Sequence, residues 1–265
     1  DPRYPDCVDE RRSALTQTID LAPTILDYFD ITLPEDMQGH RLTERLLSDQ
    51  SVREAGLYGV MGGQVNVTDG RFVYMRAPVT VDNTPLFEYT LMPTHMNKMF
   101  SPKELQQWEK VEGFSFMNGC QVMQIPSRTL RPLLSLETPM GRGRMTTLLF
   151  DVENDPGQLS PLGDLVVEAR MIKLMLREMA RNECPSEQYV RLGLPEPQRL
   201  KVGHGDECVE LPSDEEISAA CVLNTEAGHR GVQSGGKGVP FMPFPKQFDQ
   251  SHFPDNLRLR PDYPF

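Results

Sequence analysis

The sequence has no long apolar run and no cluster of positive charge. None of its apolar stretches approaches the roughly 20 residues that a membrane-spanning helix needs, and no N-terminal charged-then-apolar segment has the form of a signal peptide. Lys and Arg are scattered and the formal net charge is −11, whereas a nucleic-acid surface needs clustered basic residues. We therefore expect neither a membrane nor a nucleic acid as partner, and the compartment is left open.

Motifs for several kinds of chemistry are also missing. The five cysteines are an odd number, lie far apart and include no C-x-x-C pair, which argues against a disulfide framework or a zinc site. No G-x-S-x-G nucleophile elbow occurs. The Gly-rich stretch around Lys237 lacks the strand and the spacing of a phosphate loop. A hydrolase with paired carboxylates is neither indicated nor excluded.

The segment from residue 14 to 29 predicts a strand, a tight turn and a helix. Residues 14–19 alternate between apolar and polar, Asp20 is suited to cap the helix, and Pro23 is tolerated in a first turn. Four apolar residues then recur at helical spacing: Leu21, Ile25, Leu26 and Phe29. This predicts a buried helix in one unit of an α/β layer. Residues 34–50 predict a loop and a short helix with Leu42, Leu46 and Leu47 turned inward, and a loop-packing role for His40 rather than a ligand role.

Residues 55–92 predict an antiparallel sheet. Two alternating runs flank Asp69-Gly70, which is a strong signal for a type I′ hairpin turn, and residues 85–92 are a further strand candidate. Residues 147–152 predict a further strand of this sheet, and the stretch over 148–156 leaves it through an acidic turn that includes Asp151. A calcium loop at this turn would need a 12-residue spacing that is absent.

Two helices are predicted further along the chain. Ser101 and Glu104 form a capping-box pattern around Pro102, which predicts a helix over 101–110 with Trp108 as a packing residue. Asp164 caps a longer helix that ends near Asn182. Its apolar stripe, which we expect to pack on the sheet although a partner-helix seam is the alternative, consists of Leu165, Ala169, Ile172, Leu176 and Met179.

The character of the sequence changes near residue 195. Pro and Gly become frequent and periodicity is lost, which predicts an extended or disordered tail. Its aromatic residues favour a tail that wraps over a surface; these are Phe241, Phe244, Phe248 and Phe253. We expect a division into residues 1–50, a sheet-plus-helix unit over 51–194 and the tail over 195–265.

Three stretches, in order, resemble sulfatases of the alkaline-phosphatase superfamily. They are "QTIDLAPTILDYFDITLPEDMQGHRL", "NVTDGRFVYMRAP" and "LLFDVENDPGQLSPLGD". The first includes Gly39 and the pair Arg41-Leu42, which stand where the family has a Gly before a Ser/Arg-Leu. The resemblance covers about residues 11–182. It implies an α/β fold that is α+β in this fragment: the end of a sulfatase α/β core, followed by a small antiparallel sheet packed on a C-terminal helix, with an irregular tail.

In that family the groups that do the chemistry precede the first of these stretches. The nucleophile is a formylglycine made from the first residue of C/S-x-P-S/A-R, and the calcium ligands are Asp, Asn and His side chains. Residues 125–128 match the end of this motif, but Gln124 stands at the nucleophile position and Cys120 lies four residues too early. The resemblance therefore implies the C-terminal part of a sulfatase, with formylglycine and calcium belonging to the full-length protein. We assign no catalytic residue and no metal ligand.

The loop over residues 90–100 is the best candidate for substrate contact. His95 and Lys98 supply an imidazole and a cation after a sheet strand, and such groups suit a sulfated small molecule or sugar. Two alternatives stay open: a non-catalytic binding or accessory module, and part of a related phosphoesterase or phosphonate hydrolase. For this chain alone we expect no turnover, an exposed apolar face on the helix after Asp20, and self-association.

Overall fold

The structure, a computed structural model, describes residues 3–5, 7, 10–80, 82–95, 98–127, 146–202 and 206–226. Helices and antiparallel sheets are mixed along these residues, so the expected α+β character is confirmed. The tail residues Phe241, Phe244, Phe248 and Phe253 lie outside the described residues. No helix in the described part of the chain is both long and apolar enough to cross a membrane.

The described helices and strands are as follows. The α-helices are α1 (Leu21–Tyr28), α2 (Thr43–Ser48), α3 (Leu165–Arg181), α4 (Ser186–Leu192) and α5 (Asp214–Glu226). The strands are β1 (Gly56–Gly59), β2 (Val65–Thr68), β3 (Phe72–Arg76), β4 (Phe87–Thr90), β5 (Glu109–Val111), β6 (Val122–Pro126), β7 (Leu148–Asp151), β8 (Gln198–Val202) and β9 (Asp206–Glu210). Short 3₁₀ turns lie at Thr18–Asp20, Glu104–Gln107 and Ser115–Met117.

The main sheet is antiparallel and has the order β1-β2-β3-β7. The prediction of one sheet from residues 55–92 and 147–152 is confirmed for residues 56–76 and 148–151. The further strand candidate does not join it, because β4 belongs to a second antiparallel sheet of order β4-β6-β5. Pro78 and Pro85 lie between β3 and β4, and proline cannot donate to a strand ladder, so the chain leaves the first sheet there.

The hairpin between β2 and β3 lies at Asp69-Gly70, as predicted, but its turn is longer than a two-residue type I′ turn. Thr68 pairs with Val73, and the three residues 69–71 lie between β2 and β3. The carboxylate of Asp69 accepts from the backbone N–H of Arg71 (3.0 Å) and of Phe72 (2.7 Å). Gly70 has φ of +96°, a conformation that glycine adopts at little cost.

Helix α3 covers the main sheet and forms the core with it. Asp164 caps the helix as predicted, since its side chain accepts from the N–H of Val166 and of Val167. Ile172, Leu176 and Met179 are buried against β1, β2 and β3, but Leu165 is 52% exposed. The buried face begins one turn later, at Glu168, so the predicted stripe is correct except at its first residue.

The predicted helix over 101–110 is largely replaced by other structure. Ser101 and Glu104 make the capping-box hydrogen bonds, but only the 3₁₀ turn Glu104–Gln107 follows, and β5 then pairs with β6. Leu105 and Trp108 are the segment's apolar residues, too few for a buried stripe, so strand pairing outweighs the marginal stability of a short helix. Trp108 is 46% exposed, so its predicted packing role is wrong.

Residues 198–202 and 206–226 are folded, although the sequence predicts an extended tail there. β8 and β9 form a hairpin, and α5 packs on α3. The side chains of Ile217, Ala220 and Cys221 are buried in the core. These residues are three and four positions apart, which is the spacing of one helix face. The prediction of an extended tail relied on the Pro and Gly content and missed this spacing.

The N-terminal predictions are partly correct. Helix α1 is present, but residues 14–17 are not a strand and Thr18–Asp20 is a 3₁₀ turn. The short helix α2 forms within the predicted range, yet Leu47 is 61% exposed rather than turned inward.

Candidate functional site

The candidate loop follows β4 and closes on itself. Thr94 and Met99 form an isolated β-bridge, the His95 N–H donates to the Lys98 carbonyl (2.8 Å), and the Phe100 N–H donates to the Pro93 carbonyl (3.2 Å). These bonds hold the backbones of His95 and Lys98 next to each other. The two predicted site residues are therefore close along the backbone.

The His95 side chain lies between two carboxylates. Its Nδ1 is 3.2 Å from Glu88 Oε2 on β4, and its Nε2 is 2.8 Å from Glu104 Oε1 in the 3₁₀ turn. The ring also packs edge-on against Phe100, with 4.3 Å between ring centroids. Both polar atoms of the imidazole are thus engaged within the protein. The Lys98 side chain, by contrast, lies at the exposed surface of the loop.

Each carboxylate beside His95 is also bound by a serine. The Ser101 hydroxyl (2.6 Å) and N–H (2.7 Å) donate to Glu104 Oε2, and the Ser127 hydroxyl donates to Glu88 Oε1 (3.1 Å). The Ser101 hydroxyl and N–H, followed by His95, lower the Glu104 pKa to about 2. Glu104 is therefore a carboxylate at all ordinary pH values. Because both serines donate to carboxylates rather than to the imidazole, neither is arranged as an activated nucleophile.

The position that matches the family nucleophile has a structural role. The Gln124 side chain, on β6, donates to the Tyr89 hydroxyl (2.7 Å), which donates to Glu187 Oε1 (2.5 Å). Burial, followed by the hydrogen bond to Glu187, raises the Tyr89 pKa. Gln124 thus belongs to a network that joins the second sheet to α4. Cys120 is exposed, and Arg128 lies outside the described residues.

A second polar constellation, which the sequence analysis misses, surrounds Asp20. Its carboxylate is fully buried and bonds no N–H of α1, so the predicted cap is absent. It accepts instead from the backbone N–H of Gln17 (2.8 Å) and of His40 (2.9 Å), and it binds the Arg53 guanidinium through both oxygens at 2.5 and 2.6 Å. Three separate stretches of chain, at residues 17–20, His40 and Arg53, therefore meet at one carboxylate.

The surroundings of Asp20 explain two other sequence features. Burial acts to raise its pKa, but the bonds from Arg53, His40 and Gln17 outweigh burial and hold the pKa below its ordinary value. His40 takes part through its backbone, consistent with the predicted loop-packing role. A Cβ at Gly39 would lie 2.1 Å from the Ile19 carbonyl oxygen, so this close approach requires glycine.

The Asp20 constellation fixes a helix whose apolar face is open. Leu21, Ile25 and Phe29 are 56%, 56% and 64% exposed, and Ile19 and Ile31 beside them are about half exposed. Within α1 only Pro23 is buried. The helix is thus not buried within this chain, and the expected exposed apolar face is confirmed. We call the side chains of Ile19, Leu21, Ile25, Phe29 and Ile31 the α1 face.

The described carboxylates do not form a site for the calcium that the sulfatase resemblance implies. No group of three or more His, Cys, Asp and Glu side chains in the described part of the chain is arranged to hold a metal ion. Asp151, at the acidic turn, accepts from Arg71 (2.9 Å) and from the Asn154 amide (2.9 Å). Glu88 and Glu104 face His95. These carboxylates are bound by donors of the protein itself.

The described residues place the protein among mixed α+β proteins, with three small antiparallel sheets and a helix that covers the largest of them. Comparison of the chain with protein-family models, with curated proteins and with solved structures found no match.

Proposed function

We propose that the chain is the C-terminal region of a sulfatase that hydrolyses sulfate monoesters, with the nucleophile and the calcium ligands in a segment that precedes Asp1. The support from sequence is the presence, in family order, of three stretches that resemble sulfatases. The observation that carries the proposal is the α1 face. A helix that a buried ion pair holds in place, with a row of large apolar side chains in water, is suited to be covered by a further layer of protein.

Within this proposal His95 and Lys98, on the candidate loop over residues 90–100, border the substrate site. Lys98 supplies an exposed positive charge that attracts an anionic sulfated small molecule or sugar. His95 supports the loop, since both of its ring nitrogens contact carboxylates of the same chain. The described residues supply substrate binding and a docking face, whereas the bond-breaking groups belong to the preceding segment.

The direct test is the coding sequence immediately upstream of the codon for Asp1. A C-x-P-S/A-R motif with an Asp pair supports the sulfatase proposal. An authentic start with no such region replaces it with a non-catalytic binding module that docks through the exposed surface. A Thr nucleophile with two zinc sites replaces it with a phosphoesterase or phosphonate hydrolase.

Kinetics test the role of the loop. In the protein that includes the upstream region, Lys98→Ala and His95→Ala should each lower kcat/KM for an aryl sulfate by about tenfold with an unchanged circular dichroism spectrum. Lys110→Ala, at an exposed lysine of β5, is the matched control and should leave kcat/KM unchanged. Unchanged kinetics for both loop variants would remove the loop from the substrate site.

A further inference from the structure

The turn between the 3₁₀ turn Ser115–Met117 and β6 contains an Asn-Gly pair. Asn118 and Gly119 are both exposed and have φ of +52° and +74°. Asparagine and glycine are the residues that adopt this left-handed conformation at the least cost. Asn118 is the one asparagine of the sequence that precedes a glycine. A reaction that needs this pair of neighbours is therefore confined to this turn.

The backbone nitrogen of Gly119 can act as a nucleophile. Its N–H has no acceptor among the described residues. The N–H groups of the residues on either side, by contrast, donate to the carbonyls of Ser115 (3.4 Å) and Met117 (3.0 Å). A Cβ at Gly119 would meet no heavy atom within 4 Å beyond its chain neighbours. This open space lets the peptide rotate from its observed conformation, with Asn118 ψ of +42°, until the nitrogen faces Asn118 Cγ.

The Asn118 side chain ties the turn to the loop that follows α1. Its Nδ2 donates to Asp36 Oδ2 at 2.8 Å. The same loop continues to His40, whose backbone N–H binds the Asp20 carboxylate. The contact thus joins the turn before β6 to the N-terminal part of the chain, and it depends on Nδ2 as the donor.

We propose that Asn118 is a site of spontaneous deamidation and that this modification breaks the contact with Asp36. The Gly119 nitrogen attacks Asn118 Cγ and forms a new C–N bond. The Cγ–Nδ2 bond breaks, and Nδ2 leaves as ammonia with the proton that the Gly119 nitrogen gives up through solvent. Water then opens the succinimide ring at one of its two carbonyls, which leaves aspartate or isoaspartate at position 118. One water is consumed and one ammonia is released.

The atom that leaves in this reaction is the donor of the contact. Either product carries a carboxylate at position 118, and this carboxylate faces the carboxylate of Asp36. Two like charges at hydrogen-bond distance repel each other, so the loop over residues 34–37 loses its tie to the turn. This modification does not depend on the proposed sulfatase function.

The pair Asp69-Gly70 has the same potential for ring closure but is held. The Asp69 carboxylate accepts from two backbone N–H groups and from the Arg170 guanidinium (2.7 Å). The Gly70 N–H donates to the Thr68 hydroxyl oxygen (3.0 Å). Both the electrophile and the nucleophile are therefore occupied, and we expect no isoaspartate at position 69.

The test is peptide mass spectrometry of the purified 265-residue chain after incubation in buffers from neutral to mildly alkaline pH. The amide of Asn118 should be lost at least about ten times faster than that of Asn182, an exposed asparagine followed by Glu183. Aspartate and isoaspartate should both appear at position 118, and the loss should accelerate with pH because the Gly119 nitrogen must give up its proton. Equal rates at Asn118 and Asn182 would overturn the proposal.

Hydrogen exchange tests the effect on the contact. The Met37 N–H donates to the Pro34 carbonyl within the loop (3.2 Å), and Asn118→Asp, which carries the product carboxylate, should lower the protection of this amide at least about threefold. Asp36→Asn combined with Asn118→Asp exchanges donor and acceptor and should restore the protection. Asn182→Asp is the control and should leave it unchanged. Unchanged protection in Asn118→Asp would contradict the proposed loss of the tie.

Discussion

At Asp20 a fully buried carboxylate is paired with the guanidinium of Arg53, whose side chain is 8% exposed. Each charge has lost most of its hydration, so each depends on the other and on the backbone N–H groups of Gln17 and His40. Removing one member of such a pair leaves an uncompensated buried charge, which costs far more than the net contribution of the intact pair.

Asp20→Asn should therefore lower the free energy of unfolding by about 3–5 kcal/mol, measured by urea denaturation. The amide keeps the shape of the side chain but offers Arg53 no negative charge. Arg181→Ala is the control, because it removes an exposed i,i+3 pair with Glu178 and should cost less than about 0.5 kcal/mol. Equal losses for the two variants would mean that the Asp20 pair is solvated rather than buried.

The carboxylates also predict how stability varies with pH. The hydrogen bond from Arg71 lowers the Asp151 pKa, partly opposed by burial and aided by Asn154, from the ordinary 3.8 to about 2; the Asp20 pKa is lowered as well. Because the folded pKa lies below the unfolded one, the unfolded chain binds more protons in acid. The stabilisation is complete above the unfolded value and is lost as the pH falls from about 4 to about 2.

Urea denaturation across that range should show the loss, and Asp151→Asn should make the dependence shallower. Asp214→Asn is the control, since Asp214 lies in an exposed pair with Lys173. An unchanged slope in Asp151→Asn would show that its partners do not favour the charged form.

At the scale of residues, the sequence predicted that His95 lies on a loop after a strand, but it did not predict that Glu88 and Glu104 lie beside it. Their approach depends on the register of β4 and on a turn in place of the predicted helix.

At the scale of elements, helix α3 organises the core. Ile172 is 0% exposed and packs with Leu176, Met175 and the residues of the main sheet, whereas Val166 in the first turn is 81% exposed. The same substitution can therefore be made at a buried position and at an exposed position of one helix. The comparison separates the effect of burial from the effect of helix propensity.

Ile172→Asp should destabilise the protein by more than about 4 kcal/mol, because an unpaired charge in the core belongs to the largest class of mutational effects. Val166→Asp should change stability by less than about 0.5 kcal/mol. Thermal or urea unfolding of both variants checks this expectation. Similar stabilities would mean that α3 does not cover the sheet.

Elements with strong local signals were predictable, and those that depend on distant contacts were not. The spacing of apolar residues and the Asp164 cap predicted α3, and Asp69-Gly70 predicted the β2–β3 hairpin. Arg76 shows what local patterns miss. Although charged, it is fully buried on β3, where it donates to the Leu192, Gly193 and Ala220 carbonyls. Leu192 is the last residue of α4, Gly193 follows it, and Ala220 lies in α5. No local sequence pattern indicates that these residues lie beside β3.

At the scale of the whole molecule, the α1 face differs from the core elements because its large apolar side chains are exposed. The main sheet is covered by α3, and α5 is packed on α3, so the apolar residues of these elements are largely buried. The α1 face instead presents Leu21 and Ile25 on successive turns of α1 and Phe29 directly after it, each more than half exposed. Water contact with such a row is unfavourable, at roughly 25 cal/mol per Å² of apolar surface, so covering this face is favourable whatever covers it.

The chain by itself should therefore self-associate through the α1 face. Replacing Ile25 and Phe29 together by serine removes two of its largest side chains without touching Asp20 or Arg53, so the fold should persist while association weakens. Sedimentation velocity at several concentrations should show concentration-dependent species for the unaltered chain and a monomer for the double variant, with weaker binding of an apolar dye. Val190→Ser, at a valine that is 64% exposed outside the α1 face, should behave like the unaltered chain. Association that is equally strong in the double variant would place the contact elsewhere. A monomer at all concentrations that binds no dye would show that the α1 face is covered within the chain.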